Sequence, residues 1–244
     1  MLCSNDSKTL RESIASLAGL STLVDCEIIV SDNKSRDGSM EILRELSEGG
    51  VIREVIEQKC TRGKGRQLAL QKARGDYVLG HLDCDDIFSA RGIYSLIQLY
   101  HEKYEGMMIM SRRTVGGYSN ITLAPRGLII ELGGWRDINW NEDWDLWARA
   151  AAQHKYVNIP YPYAEPPHTF VRVRQDRDDN VLKRVRARYG KYRDCYRIGR
   201  SPFTGDSHIS PTQALVNWVA RAVVDFRRQK LTAVTNPDFK DMSK

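Results

Sequence analysis

The chain contains no uninterrupted apolar run near the roughly 18 residues that a bilayer-spanning helix requires, so no such span is expected. Its N-terminus lacks the basic, apolar and small-residue zones of a secretory signal, which points away from secretion. Cysteine is sparse and unorganised: Cys3, Cys26, Cys60, Cys84 and Cys195 are odd in number, scattered and free of any C-x-x-C spacing. A disulfide framework or zinc knuckle is therefore not expected, and a reducing cytoplasm suits the pattern. Internal repeats and low-complexity tracts are missing as well. A further shortage lies at the start, where a doubly wound domain ordinarily opens with a buried apolar strand. Only Met1-Leu2-Cys3 precede the polar Ser4-Asn5-Asp6. Either the first strand is unusually short, or the natural one begins upstream.

What is present is enough for a sizeable core. A chain of 244 residues with 41% apolar content makes one large domain, or one domain with a tail. The net charge of +6 is concentrated: Lys183 to Arg200 carry eight basic residues against one acid, Asp194. The rest of the chain is close to neutral, so two functional regions are expected.

Strand and helix signals alternate through the first half. Leu10, Ile14 and Leu17 repeat at helical spacing, and Glu27 to Val30 form a β-branched run. Met40, Leu43 and Leu46 make a second helical stripe, closed by Gly49-Gly50. Val51–Ile56 reads as a strand, Gln67–Ala73 as a short helix and Tyr77–Leu82 as another strand. Ile93, Leu96, Ile97, Tyr100 and Tyr104 form a strong helical face before the strand Met107–Met110. Such alternation predicts βαβ units and an α/β fold with a mostly parallel sheet, whose ligands bind beyond the carboxyl ends of the strands.

Three acidic clusters border these apolar segments: Asp32-Asn33, Asp83-Cys84-Asp85-Asp86 and Glu142-Asp143. The second is either an exposed acidic turn or a site for a hard divalent cation, which prefers oxygen ligands and keeps waters for substrate phosphates. In the segment DNKSRDG, Asp37-Gly38-Ser39 suits a helix cap, while Asp32 at the strand tip suits the imide N–H of a pyrimidine base. Glu142, Asp143 and Asp145 open an amphipathic helix, where acids complement the helix dipole. A carboxylate there can equally act as a general base. Arg62, Lys64 and Arg66 sit in a glycine-containing loop ahead of the expected helix, as phosphate partners or as a solvated basic loop. His168, after Pro166-Pro167, reads as a metal or phosphate contact or as a surface histidine, with Arg172 and Arg174 nearby.

The runs DNKSRDG, RGKGRQLALQKARGDYVLGHLDCDD and GGWRDINWNEDWDLWARAA, in that order, resemble glycosyltransferase family 2 of the GT-A fold over roughly residues 1–165. The resemblance implies a Rossmann-like GT-A domain over 1–177; beyond it, charge and periodicity read as a basic helical extension over 178–244. It implies an inverting transferase that uses a nucleoside diphosphate sugar, with uridine diphosphate favoured, and Mn²⁺ or Mg²⁺ as cofactor. Carried over residue by residue, Asp143 is the general base and Asp85 the metal ligand. Asn5, Asp32, Asn33, Lys64 and Asp83 are implied nucleotide contacts, and Arg62, Asp86, Trp135, Glu142 and His168 further phosphate or acceptor contacts. The chain departs from the family at Asn33, where a second aspartate is common, and at Cys3-Ser4-Asn5, which replaces a proline-containing strand tip. The Q-x-x-R-W motif of processive synthases is absent, which disfavours processive synthesis.

The acceptor is open between a carbohydrate, a lipid-linked group and a protein. A polyprenyl-phosphate sugar synthase and a non-catalytic nucleotide-binding relative are the alternatives. The basic stretch interleaves Tyr189, Tyr192 and Tyr196, and residues 212–229 pattern as an amphipathic helix. Packing against the domain, a subunit interface and peripheral contact with the inner membrane face all suit that pattern; nucleic acid does not, because it would leave the acidic pocket without purpose.

Overall fold

The apolar segments of the first half build a parallel sheet of order β1-β2-β3, from β1 (Leu2–Cys3), β2 (Ile29–Asp32) and β3 (Glu54–Glu57). Helices α1 (Leu10–Ala18) and α2 (Ser39–Glu48) make the crossovers that parallel pairing requires. After α3 (Arg62–Lys72), β4 (Tyr77–Gly80) enters a second sheet of order β4-β7-β6-β8, with β6 (Met108–Arg112), β7 (Asn120–Pro125) and β8 (Tyr156–Ile159). Between these strands run α4 (Ala90–Lys103), α5 (Arg126–Glu131) and α6 (Glu142–Ala152), and a small ribbon pairs β5 (Asp86–Phe88) with β9 (Thr169–Arg172). Helix α7 (Val181–Arg197) follows. The computed structural model describes residues 1–112, 120–159, 169–172 and 181–198. His168, Arg174 and the helix expected at 212–229 lie outside them. Among the described residues, no helix is long and apolar enough to cross a membrane.

The α/β expectation holds, with parallel pairing in the first sheet and between β6 and β8. β7 runs antiparallel to both of its neighbours. The strands of the second sheet alternate in side-chain direction with a period of two. Ile109, Ile121 and Leu123 face a core with Ile93, Leu96 and Tyr100 of α4. Met108, Met110 and Ala124 face the opposite one, with Leu128, Ile129, Leu146 and Trp147 of α5 and α6. With both faces covered, β6 reads as a continuous apolar run and not as an alternating one.

One residue joins the two sheets. β4 ends at Gly80, short of the expected Leu82, because His81 adopts a left-handed backbone with φ +63°. The chain then swings to β1, where Leu2 N–H donates to the Leu82 carbonyl at 3.1 Å and Cys84 N–H to the Leu2 carbonyl at 3.0 Å. Between β2 and β4 lies a cavity of about 450 Å³, lined by Leu17, Ile28, Ile29, Leu70, Val78 and Leu79. The Met1 ammonium borders it and donates to the Ile29 carbonyl at 2.6 Å; burial pushes its pKa down.

Leu96 is fully buried between α4 and the sheet. Leu96→Ala is expected to cost about 2–5 kcal/mol of unfolding free energy, read as a lower urea midpoint with an unchanged slope.

Candidate functional site

The acidic turn after β4 is positioned by backbone pairing. Asp83 sits opposite Leu2 in a parallel bridge, which turns the neighbouring Cys84 into the core with Cys3. Asp86 N–H donates to the Asp83 carbonyl at 3.2 Å and folds the turn back on itself. One oxygen from each of Asp83, Asp85 and Asp86 lies within 4.8 Å of the others. This all-carboxylate donor set fits a hard divalent cation such as Mn²⁺ or Mg²⁺ and not a soft one.

Arg66 connects this turn to the second acidic pair. Its guanidinium is 9% exposed, and Nη2 donates to Asp83 Oδ1 at 3.3 Å and lies 3.5 Å from Glu142 Oε1. Nε finds no partner among the described residues. Burial opposes the charge on Arg66, but Asp83, Glu142 and Asp143 together hold it protonated. In sequence, Arg66 is one of three basic residues of an expected loop; helical periodicity from Arg62 is the signal that singles it out.

That loop is helix. Thr61 Oγ1 caps the Lys64 N–H at 3.1 Å, so α3 begins at Arg62, five residues before the expected start. The glycines serve close packing and not a phosphate loop. A Cβ on Gly63 would meet the Arg136 carbonyl oxygen at 1.9 Å, and one on Gly65 would meet Leu2 Cδ2 at 2.9 Å. The two arginines, four residues apart, share one side of the helix. Arg62 lies 5.3 Å over the Trp140 ring, while Arg66 turns to Glu142. Lys64 is half-buried on another side.

The first turn of α6 divides its acids by role. Asp145 is structural, bonded to Arg149 at 2.7 Å and to Arg136 at 3.2 Å. Glu142 is buried and Asp143 half-buried, and Asp143 Oδ1 accepts the Trp144 N–H at 2.7 Å. Burial, and then Asp143, push Glu142 up to about 7, outweighing Arg66, which it shares with Asp83. Burial also raises Asp143 above the ordinary carboxylate range, against the opposing pull of the Trp144 N–H and Arg66. Trp144 itself is 53% exposed beside Asp143, a placement that α6 amphipathicity alone did not single out.

Trp135 differs from its expected place. Gly133 and Gly134, both left-handed, close α5 through N–H bonds to the Ile130 and Ile129 carbonyls at 2.8 Å, and this turns Trp135 inward. The indole is 2% exposed and donates to His81 Nε2 at 3.3 Å. His81 Nδ1 therefore carries the hydrogen and meets Thr122 Oγ1 at 2.7 Å; that hydroxyl also accepts from Trp147 Nε1 at 2.9 Å. Burial and then Arg66 push the His81 pKa well below its usual value, so the ring is neutral. A buried network thus ties the residue that kinks the chain toward Asp83 to α6 and to the 133–135 turn.

At the tip of β2, Asp32 is fully buried and accepts from Ser35 N–H at 2.8 Å and Ser35 Oγ at 2.5 Å. Asn33 Oδ1 accepts the Cys60 N–H at 3.0 Å, and Asn5 Oδ1 accepts the Arg36 N–H at 2.9 Å. Asp37 caps α2 through Ser39, as expected. Its partial burial is outweighed by bonds from Ser39 and Ser7, which lower it to about 2. Four of the five described non-glycine residues with left-handed backbone, Asn5, Lys34, His81 and Asn141, lie in segments that border these clusters.

Glu142 gives a pH signature. Its folded pKa, about 7, lies above the unfolded value, so the folded state binds more protons between the two. Its contribution favours folding below the unfolded value and is lost as pH rises through about 7. The melting temperature is expected to fall between pH 5 and 8, and Glu142→Gln to flatten that fall, in a differential scanning fluorimetry series.

No curated protein sequence matches the chain. Among solved structures, the mannosyltransferase PcManGT from Pyrobaculum calidifontis, in complex with GDP-Man and Mn²⁺, is similar at TM-score 0.62 and 14% identity, over 93% of this chain and 73% of that one. The glucosyl-3-phosphoglycerate synthase from Mycobacterium tuberculosis, with Mn²⁺, UDP and glucosyl-3-phosphoglycerate, is similar at TM-score 0.58 and 18% identity, over 82% and 78%. S. aureus TarS is similar at TM-score 0.56 and 16% identity; the match covers 80% of this chain but only 38% of TarS. These likenesses bear on the fold. The family model described as glycosyl transferase family 2 matches residues 1–158, well over half of the chain. The chain belongs to glycosyl transferase family 2 and has the GT-A fold.

Proposed function

We propose that this protein moves a sugar from a nucleoside diphosphate donor, with uridine as the base, to an acceptor hydroxyl with inversion at the anomeric carbon. The observation that carries the reading is the buried Arg66, which reaches both Asp83 and Glu142 and so sets the acidic turn beside the acid pair of α6. Asn5, Asp32 and Asn33 edge the nucleoside side, and Arg62 and Lys64 supply positive charge for the diphosphate. Asp85, with Asp83 and Asp86, would hold Mn²⁺ or Mg²⁺. When bound, the cation supplies charge neutralisation for the leaving diphosphate.

Asp143 is the general base in this reading. The acceptor oxygen forms a bond to the anomeric carbon on the face opposite the diphosphate, the carbon–diphosphate bond breaks, and the hydroxyl proton passes to the Asp143 carboxylate. A base works best when its pKa approaches the working pH, and burial moves Asp143 in that direction. Glu142, partly protonated near neutrality, limits the negative charge beside it. Trp144, exposed next to the base, offers an apolar face to an acceptor.

Two measurements test the reading. A nucleotide at about 100 times its dissociation constant stabilises a protein by roughly 2.7 kcal/mol, or several degrees for a chain of this size. UDP with Mn²⁺ is expected to give that shift in the native protein and not in Asp85→Ala; a shift with another nucleoside diphosphate alone would replace the base assignment. Asp143→Asn should retain the shift and lose about 10²–10⁴-fold in transfer. Undiminished transfer in that variant would sink the base. Extraction of the labelled product into organic solvent separates a lipid-linked acceptor from a soluble one.

A further inference from the structure

The loop that delivers Asp143 is anchored by a helix outside the region that the family model matches. Residues 136–141 join the 133–135 turn to α6, and α3 holds them on one side. Thr61 Oγ1 donates to Asp137 Oδ1 at 2.6 Å, Arg62 N–H to Asn139 Oδ1 at 3.1 Å, and Gly63 N–H to the Ile138 carbonyl at 3.0 Å. On the other side stands α7. Asp194 is fully buried, and its Oδ2 accepts both the Asn139 N–H at 2.8 Å and the Trp140 N–H at 3.1 Å. Oδ1 is paired with Arg193 at 2.8 Å, and Arg197 lies 3.9 Å away. Asn141 Nδ2 lies 3.0 Å from Cys195 Sγ. Helix and loop approach so closely that a Cβ on Gly190 would meet Trp140 Nε1 at 2.8 Å, which accounts for a glycine in the middle of a helix.

A carboxylate that satisfies two successive backbone N–H groups does for this loop what an N-cap does for a helix, and charge-assisted bonds of this kind are about twice as strong as neutral ones. The next residue, Asn141, is left-handed with φ +61°, and α6 starts immediately after it with Glu142 and Asp143. Such a conformation is uncommon for a residue with a side chain and persists where its surroundings over-determine it.

We propose that Asp194 is a positioning residue for the reaction: through Asn139 and Trp140 it sets the backbone from which Asp143 is presented. The basic helix α7 is thereby part of the active-site wall, and residues 1–158 alone are an incomplete catalytic unit. The proposal rests on the assignment of Asp143 as base, but its structural half is measurable without turnover.

The test compares Asp194→Ala and Asp194→Asn in the full-length chain. Hydrogen exchange is read on peptides covering 136–141, binding of UDP with Mn²⁺ by thermal shift, and turnover on whichever of UDP-glucose and GDP-mannose the native protein consumes. In Asp194→Ala, the 136–141 amides are expected to exchange about tenfold or more faster, with β6 and β7 unchanged. Turnover should fall about tenfold or more while nucleotide affinity holds, because a small displacement of a catalytic group costs rate rather than binding. Asp194→Asn keeps an oxygen that can accept both N–H bonds, loses the charge and sets its amide nitrogen against Arg193, and should recover part of the rate. Gly190→Ala, which keeps the carboxylate but pushes the helix, and Asp194 with it, away from Trp140, should give the same selective loss. Faster exchange with turnover within twofold of native would overturn the proposal, as would faster exchange throughout β6 and β7, or an Asn variant no better than Ala. Transfer that survives Asp143→Asn would remove the base assignment alone; accelerated exchange in Asp194→Ala would then still establish the anchor.

Discussion

A single buried positive charge constrains most of what surrounds it. Arg66 is almost withdrawn from water, and an unpaired guanidinium in that position would cost several kcal/mol. Its charge is tolerable only because Asp83 approaches from the acidic turn and Glu142 from α6. The dependence also runs the other way. Asp83, Glu142 and Asp143 would repel one another without the cation between them, and even with it Glu142 is pushed up to about 7. Two acidic motifs separated by nearly sixty residues therefore have a shared counter-charge. The helix that carries Arg66 must come close enough to supply it, which is why small residues occupy positions 63 and 65.

Around this centre, the acidic residues are carried on short, irregular segments held from several sides. The acidic turn leaves the sheet through a left-handed His81, and that kink is secured by bonds to Thr122 and Trp135, which lie on β7 and the 133–135 turn. The 136–141 loop is bonded to the start of α3 and to Asp194 on α7. The design suits the proposed transfer, in which donor and acceptor would have to be held in near-attack geometry with little tolerance for drift. Regular helices and strands supply the rigidity, and the polar groups of the loops are consumed in fixing them to it.

Much of this was legible in the chain and some was not. The strands ending in Asp32 and before Asp83, the helical faces at Leu10–Leu17 and Ile93–Tyr104, and the capping role of Asp37 are local properties, and all stand close to where periodicity predicts them. β3 was displaced because Val51 and Ile52 belong to the turn after α2, where the Ile52 N–H bonds to the Leu46 carbonyl. The R-G-K-G-R segment was misread for a related reason. Glycine ordinarily disfavours a helix, but here Gly63 and Gly65 are demanded by contact with the Arg136 carbonyl and Leu2, and tertiary packing overrides propensity. Trp135, which the family resemblance implies as a phosphate or acceptor contact, is turned into the core by Gly133 and Gly134, which end α5 as they do.

The sequence by itself determined which residue types could carry the chemistry, their order along the chain, and the α/β alternation that brings strand tips to one edge. These are properties of neighbours within a few residues, where period, capping and composition act. Only the tertiary structure decided which of three nearby basic residues is buried between the acids, that a neutral histidine governs the switch between sheets, and that the lone acid of a basic helix anchors the loop before Asp143. Each of those outcomes depends on partners dozens of residues away. The free energy of a buried charge or hydrogen bond is set by what stands opposite it, and no local pattern encodes that.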